Sequence, residues 1–224
     1  MQSCAIITYQ AQPIQAWVVD EETNRPLEGV VVVAHWQLKG GLEGGNPTGQ
    51  MMVMETLTDA KGRFYFPGWG PKLRPLMSEL KDQSPGILLF KSGYTSEELQ
   101  NHTTSKTIRG DLRTPLRSDW HGKTIELKPF RETSEVKEIF RDFEHLNSSV
   151  VTIVRDAKSC NWKKIPKMIL SIRKQKLFFI KNGITGPFGI SSVDQYLLDN
   201  AAKFSLEGGA ACGSPEQLFR ANTP

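Results

Sequence analysis

The chain has 224 residues, of which 38% are hydrophobic and 23% are charged, and this balance is enough for one substantial core or two small ones. The net charge of +4 is too mild to indicate nucleic-acid binding by itself. No stretch approaches the roughly 20 apolar residues that a membrane-spanning helix needs, which argues against an integral membrane protein.

Short β-type segments separated by turns follow one another through the first half of the chain. Ile14 to Val19 predicts a strand, and the Asx residues and Pro26 that follow favour a turn. Val30 to Trp36 is apolar and β-branched on both faces, which is typical of a strand that a second sheet covers. Gly62 can supply the positive φ that a tight hairpin needs. Further strands are predicted at Met51 to Thr58, Arg63 to Phe66, Ile87 to Phe90 and Thr124 to Leu127.

The order of these features resembles that of a carboxypeptidase regulatory-like domain. The resemblance rests on Val18-Val19-Asp20, Pro26-Leu27-Glu28-Gly29, Val30 to Val33, Thr58 to Phe64 and Lys91-Ser92-Gly93-Tyr94, and it covers residues 14–128. It implies an antiparallel, transthyretin-like β-sandwich that carries no chemistry of its own. Hydroxyisourate-hydrolysing relatives of that sandwich end in Tyr-Arg-Gly-Ser, whereas this chain ends Arg220-Ala221-Asn222-Thr223-Pro224, so their activity is not carried over.

Three long connections interrupt this plan. Lys39 to Gly49 is glycine-rich and predicts a flexible loop, and Gly68 to Pro85 predicts one helical turn at Met77 to Lys81. Thr95 to Gly122 is a polar insertion. Because connections of this length are often functional, we expect binding to occur there.

The hydrophobic periodicity becomes helical after Phe130. Apolar residues from Val136 to Leu146 predict a first amphipathic helix capped by Thr133 or Ser134, Pro166 fits the first turn of a second helix, and Val193 to Phe204 predicts a third. The predicted fold class is therefore α+β. The predicted divisions are an N-terminal tether (1–12), a β-sandwich (13–129) and a helical C-terminal region (130–224).

The three cysteines bear on cellular location. Cys160 and Cys212 could form a disulfide in an oxidising compartment. Met1-Gln2-Ser3-Cys4 resembles the end of a bacterial lipobox, so Cys4 is a candidate for lipidation that would anchor a periplasm-facing protein to a membrane, although the charged and apolar parts of a signal peptide are missing. The alternative is a cytoplasmic protein with three reduced thiols.

A basic segment runs from Lys163 to Lys181 without an acidic residue. Basic amphipathic helices can lie on anionic membranes, but a solvated face of a folded domain explains the same pattern, and Leu177 to Ile180 is apolar enough to predict buried structure. The segment is not joined to a reading or stacking element, so we expect no nucleic-acid partner.

Motifs for catalysis are missing. His35, His102, His121 and His145 are scattered without zinc-site spacing, so no catalytic residue, metal or cofactor is predicted. Trp69, Trp120 and His121 are expected in loops and are the candidate ligand-binding residues, because sugars stack on exposed indole rings, although anchoring of a long loop explains the tryptophans better.

Two functions follow. The first is a non-enzymatic, envelope-associated structural or binding protein whose partner is a cell-envelope polymer, a carbohydrate or a protein. The alternative is a hydrolase-type enzyme whose site is built from the insertions and the helical region, with His102 or His121 near Asp111 or Asp119 as acid or base. The oligomeric state is left open.

Overall fold

The structure is a computed structural model, and it describes residues 8–40, 46–102, 115–130, 136–184 and 189–220. Strands fill the first part of the described chain. They are β1 (Thr8–Ala11), β2 (Ile14–Asp20), β3 (Val31–Gly40), β4 (Asn46–Leu57), β5 (Arg63–Phe66), β6 (Trp69–Leu73), β7 (Ser78–Leu80), β8 (Gly86–Phe90), β9 (Glu97–Leu99) and β10 (Thr124–Leu127).

Helices follow the last strand. They are α1 (Val136–Val154), α2 (Pro166–Lys181), α3 (Val193–Asp199), α4 (Ala201–Glu207), α5 (Gly209–Cys212) and α6 (Glu216–Arg220). Two 3₁₀-helices, Ala157–Ser159 and Asn161–Lys164, connect α1 to α2. No helix among the described residues is long and apolar enough to cross a membrane.

The strands form two principal sheets. The smaller has the order β10-β2-β5, and the larger has the order β4-β3-β8-β9, with β7 pairing the far end of β3. Strands β1 and β6 pair separately. All pairs are antiparallel except β10 with β2, which are parallel. The predicted α+β class with an N-terminal β-sandwich is confirmed.

The first core lies between the two sheets. Alternate residues of each strand point inward, as the two-residue period of a strand requires. The largest buried side chains there are Trp36, Phe64 and Phe66, and the two phenylalanine rings meet edge to face at 5.7 Å. This packing confirms that the strand pattern read from the sequence belongs to a sandwich.

The second core lies on the opposite face of the larger sheet. Val31, Val33 and Phe90 point away from the sandwich and pack against α1 and α2. Strand β3 is therefore buried on both faces, by the smaller sheet on one side and by the helices on the other. This arrangement explains why the run from Val30 to Ala34 is apolar without alternation.

The turns on which the family resemblance depends are present. Gly62 has a φ of +69°, as the hairpin requires. The Ser92-Gly93-Tyr94 turn delivers Tyr94 to the end of the sandwich, where its hydroxyl donates to Asp20 at 2.9 Å. Two turns that lie 74 positions apart in the chain thus meet at this hydrogen bond.

Two of the predicted loops contain strands. Strands β3 and β4 continue into the segment from Lys39 to Gly49, where Gly40 pairs with Asn46. Gly49 has a φ of +139° next to a register shift, so its glycine supports a bulge rather than a flexible loop. The helical turn predicted at Met77 to Lys81 is wrong, because β7 occupies that segment and pairs with the part of β3 that β8 does not reach.

Other boundaries also differ from the prediction. The tether predicted at residues 1–12 contains β1. The insertion from Thr95 to Gly122 contains β9, which extends the larger sheet. The helix predicted from Val193 to Phe204 is two short helices, α3 and α4, with Asn200 between them. The predicted caps Thr133 and Ser134 lie outside the described residues.

Candidate functional site

Trp69 does not offer an exposed ring. It is 8% exposed, and its indole packs edge-on against Trp36 with the ring centroids 5.3 Å apart. Its flanking glycine and proline suggested an open loop, but β6 pairs with β1 at this point and closes the indole into the sandwich core. The expectation that Trp69 stacks on a ligand is corrected accordingly.

Trp120 and His121 anchor the chain between β9 and β10. The Trp120 Nε1 donates to the backbone oxygen of Gln100 at 3.1 Å, and the Trp120 ring lies beside His102. His121 is exposed, and its Nδ1 accepts a hydrogen bond from the backbone N–H of Gln15 at 3.2 Å. These contacts hold the segment against the sandwich, and ligand binding by Trp120 and His121 stays a prediction.

The acid–base pair of the hydrolase alternative has a different arrangement from the one expected. The Asp119 carboxylate accepts the backbone N–H of His102 at 2.8 Å, so this contact does not involve the imidazole ring. Asp111 lies outside the described residues. Within the described ranges, no group of three or more His, Cys, Asp or Glu side chains could hold a metal ion.

Cys160 and Cys212 form a disulfide, with their Cα atoms 5.2 Å apart. This distance is within the usual range for a bridge of about 4.4–6.8 Å. The bridge ties α5 to the connection between α1 and α2, across 52 positions of chain. The pairing predicted from the sequence is therefore present, whereas Cys4 lies outside the described residues.

A polar cleft opens between the larger sheet and α1. Its volume is about 200 Å³, and β3, β8 and β9 form its floor while α1 forms one wall. It is lined by His35, Gln37, Lys81, Gln83, Ser84, Gly86, Glu98, Gln100, Ser149 and Thr152. Side-chain amides, a carboxylate, an ammonium group, an imidazole and hydroxyls thus face one space.

His35 lies at the floor of the cleft. Its Nδ1 donates to the side-chain oxygen of Gln50 at 3.2 Å. Its ring covers Gly86 of the neighbouring strand so closely that a Cβ at that position would overlap the imidazole. Burial lowers the pKa of His35, while the Gln50 hydrogen bond and the Glu98 charge oppose this shift. The imidazole is therefore neutral at pH 7, and its Nε2 is a hydrogen-bond acceptor.

Glu98 connects the floor of the cleft to its wall. The Ser149 hydroxyl on α1 donates to Glu98 at 2.6 Å, and the Gln100 amide donates to the other carboxylate oxygen at 3.4 Å. Ser149 is thus bonded to a carboxylate, while His35 is bonded to an amide. This arrangement differs from the usual pair of acyl transfer, in which the serine hydroxyl is bonded to an imidazole.

The cleft was not predicted from the sequence, although the pattern of polar and apolar residues in β3 indicates it. Its odd-numbered residues share one face, which is apolar at Val31 and Val33 and becomes polar at His35 and Gln37. A change from apolar to polar side chains along one face marks the point where the helical cover ends. This change is hard to recognise in the sequence because the even-numbered residues of β3 stay apolar along the whole strand.

No protein-family model matches the chain, and no curated protein matches it. Solved structures show only partial similarity. The match to a group B streptococcus pilus 2b backbone protein has 17% identity and a TM-score of 0.27, and it covers 55% of this chain and 42% of that one. The C-terminal domain of the shaft pilin SpaA from Lactobacillus rhamnosus GG has 13% identity and a TM-score of 0.22, with 55% of this chain and 98% of that chain covered.

A third match is the dioxygenase domain of a dioxygenase carbohydrate-binding protein fusion from Streptomyces sp. SirexAA-E. It has 18% identity and a TM-score of 0.28, and it covers 57% of this chain and 82% of that one. With TM-scores this low, these similarities carry no argument about function. The function is therefore inferred from the residues of this chain alone.

Proposed function

We propose that the protein is a non-enzymatic, envelope-associated binding protein that holds a polar segment of a cell-envelope polymer in the cleft between the larger sheet and α1. The observation that carries this proposal is the convergence of His35, Glu98 and Gln100 with polar side chains of α1 in one open space. Convergent polar groups of this kind fix the orientation of a ligand in a binding pocket.

The lining favours a carbohydrate segment among the candidate polymers. Each sugar hydroxyl both donates and accepts, and the cleft supplies partners for both roles. Gln37, Gln83 and Gln100 carry amides that donate and accept, Glu98 accepts, and Lys81 donates. A protein ligand would use the same groups through its backbone amides.

The disulfide supports a location outside the cytosol. Bridges such as Cys160–Cys212 form and persist in oxidising compartments. A lipid anchor at Cys4 would then hold the protein on a membrane with the cleft facing the periplasm. We also propose that the sandwich belongs to the carboxypeptidase regulatory-like family, and the contact between the Asp20 and Tyr94 turns supports that proposal.

Binding can be tested on an array of envelope oligosaccharides, followed by calorimetry with the oligosaccharide that binds best. Replacing Glu98 by Gln removes the charge-assisted acceptor and is expected to weaken binding about tenfold. Replacing Gln100 by Ala removes one hydrogen-bonding amide and is expected to weaken binding about fivefold. Gln217→Ala, an exposed glutamine of α6, is the matched control and should leave the affinity unchanged.

Equal binding by the wild type and both cleft variants would contradict the proposed site. Cleavage of the bound oligosaccharide, detected by mass spectrometry of the incubated ligand, would favour the hydrolase alternative over a binding protein.

A separate experiment tests the proposed cellular location. The intact mass of the protein, expressed with its native upstream sequence in a bacterial host, should show an acyl group on Cys4. Thiol alkylation before reduction should leave Cys160 and Cys212 unlabelled. Three free thiols without an acyl chain would place the protein in the cytoplasm.

A further inference from the structure

The last turns of α2 expose a group of large apolar side chains. Leu177, Phe178 and Ile180 are 53%, 55% and 52% exposed, whereas Phe179 between them is 1% exposed. The sequence predicted this whole apolar run to be buried, and that prediction is wrong for three of its four residues. Large apolar groups that stay clustered in water indicate an interaction surface.

Lysines flank this apolar group on the same helix face. Lys174 and Lys181 lie one turn before and one turn after Leu177 and Phe178, at spacings of three and four residues, so all four share one stripe. The chain has no Asp or Glu from residue 157 to residue 193. The exposed end of α2 therefore combines apolar side chains with positive charge that no local carboxylate offsets.

Other cations of the basic segment already have partners inside the fold. Lys176 forms an ion pair with Asp194 at 3.5 Å, and Lys163 donates to the backbone oxygen of Ala211 at 3.2 Å. Within the described part of the chain, Lys174 and Lys181 have neither a salt bridge nor a side-chain hydrogen bond. Their ammonium groups are therefore available to a partner outside the protein.

A groove continues this surface onto the larger sheet. It has a volume of about 310 Å³, and Val31, Phe90 and Phe178 supply apolar walls while Lys91 and Lys174 line it with positive charge. The Ser92 hydroxyl donates to Gln175 at 3.1 Å and fixes α2 beside the strand end. Phe179 holds the same turn through an edge-to-face contact with Phe143 at 5.2 Å. The exposed groups thus stand on a rigid base.

We propose that this surface, formed by Leu177, Phe178 and Ile180 with Lys174, Lys181 and the adjoining groove, rests on an anionic lipid bilayer. Apolar side chains flanked by lysines are suited to the boundary between lipid headgroups and acyl chains. The phosphates of anionic lipids complement Lys174 and Lys181, and the apolar groups enter the bilayer surface. A helix end of this kind lies on a membrane and does not span it.

This surface is distinct from the ligand cleft and does not depend on it. A single acyl chain gives only marginal membrane binding, and stable anchoring takes a second signal. If Cys4 is acylated, the end of α2 supplies such a second signal.

The proposal is tested by flotation of the oxidised, unacylated full chain with vesicles. One set contains only phosphatidylcholine, and the other contains about 30 mol% phosphatidylglycerol to supply negative charge. We expect the wild type to float with the anionic vesicles and to remain in solution with the neutral ones. Replacing Lys174 and Lys181 by Gln should weaken binding about fivefold per lysine. Replacing Leu177 and Phe178 by Ser should weaken it at least about tenfold.

Two control variants distinguish vesicle binding through this surface from binding caused by the overall charge and hydrophobicity of the protein. Lys203→Gln and Leu206→Ser remove an exposed lysine and an exposed leucine of α4, and both should bind vesicles as the wild type does. Wild-type protein that ignores anionic vesicles would overturn the proposal. Equal binding by the wild type and the Leu177/Phe178 variant would also overturn it, as would concentration-dependent self-association through this face in place of vesicle binding.

Discussion

Whereas the turns of the β-sandwich are closed by residues of the same turn, the first residues of α2 and α3 are capped by residues from elsewhere in the fold. Asp20 accepts the backbone N–H of Thr23, and Asp59 accepts those of Lys61 and Arg63. By contrast, Ile165 at the start of α2 makes no side-chain cap.

The side chain that caps the start of α2 comes from the larger sheet. Glu55 on β4 accepts the backbone N–H groups of Lys167 and Met168 at 3.1 and 2.7 Å. Likewise, Asn147 on α1 accepts the backbone N–H of Val193 at 2.6 Å, where α3 begins. The turns of the sandwich are therefore closed locally, while α2 depends on the larger sheet and α3 depends on α1 for the capping of their first residues.

The largest effect is expected from the core that joins the two regions. Replacing Phe179 by Ala removes a buried ring and should lower the free energy of unfolding by about 3–5 kcal/mol, as for other buried phenylalanines. Its neighbour Phe178 is exposed and provides the matched control, for which the Ala variant should lose less than about 1 kcal/mol. Chemical denaturation measures both variants, and equal losses would contradict the described packing of α2.

The disulfide should have the next largest effect. Replacing both Cys160 and Cys212 by Ser releases a loop of 52 positions and should cost about 3–4 kcal/mol. Because the bridge lies in the helical layer, amide exchange should increase there more than in the smaller sheet. Cys4→Ser is the control. Unchanged stability on loss of the bridge would show that the helical layer is held by packing alone.

Removing the cap that Glu55 of the larger sheet supplies to α2 should have a smaller effect on stability. Glu55→Ala removes the acceptor of two N–H groups and should lower stability by about 1–2 kcal/mol. Glu55→Gln keeps one acceptor oxygen and should recover part of that loss. If denaturation midpoints of the two variants both match the wild type, the start of α2 does not depend on the sheet.

Replacing His35 should have the smallest effect, which is a change in how the free energy of unfolding depends on pH. Burial lowers its pKa in the folded state below the unfolded value of 6.5, so the unfolded chain binds the proton more readily. Its contribution to stability is therefore full above that unfolded value and declines as the pH falls toward the folded pKa. His35→Gln should flatten the dependence measured between about pH 7 and 5. The exposed His102→Gln variant is the control, and an unchanged slope in His35→Gln would contradict a buried neutral imidazole.

The sequence was informative wherever local residues decide the structure. Gly62, Asp20 and the two-sided apolar run of β3 predicted a hairpin, a capped turn and a covered strand, and all three are present. Cys160 and Cys212 were paired because both lie in the helical region, and they form the bridge.

Prediction failed where distant residues decide the structure. Ser78 to Leu80 forms a strand because the end of β3 offers free pairing positions, which no local pattern reveals. Trp69 is buried because β1 pairs beside it. The cleft depends on where α1 stops covering the larger sheet, and that boundary is set by tertiary packing.

The helical layer and the larger sheet share one core, and a chain that ends at Phe130 tests this shared core. That fragment would expose Val31, Val33 and Phe90 on the outer face of the sheet. We expect it to aggregate or to lose cooperative unfolding in a thermal scan. A soluble, monomeric fragment with a single sharp transition would contradict the claim and show that the sandwich is complete without its helices.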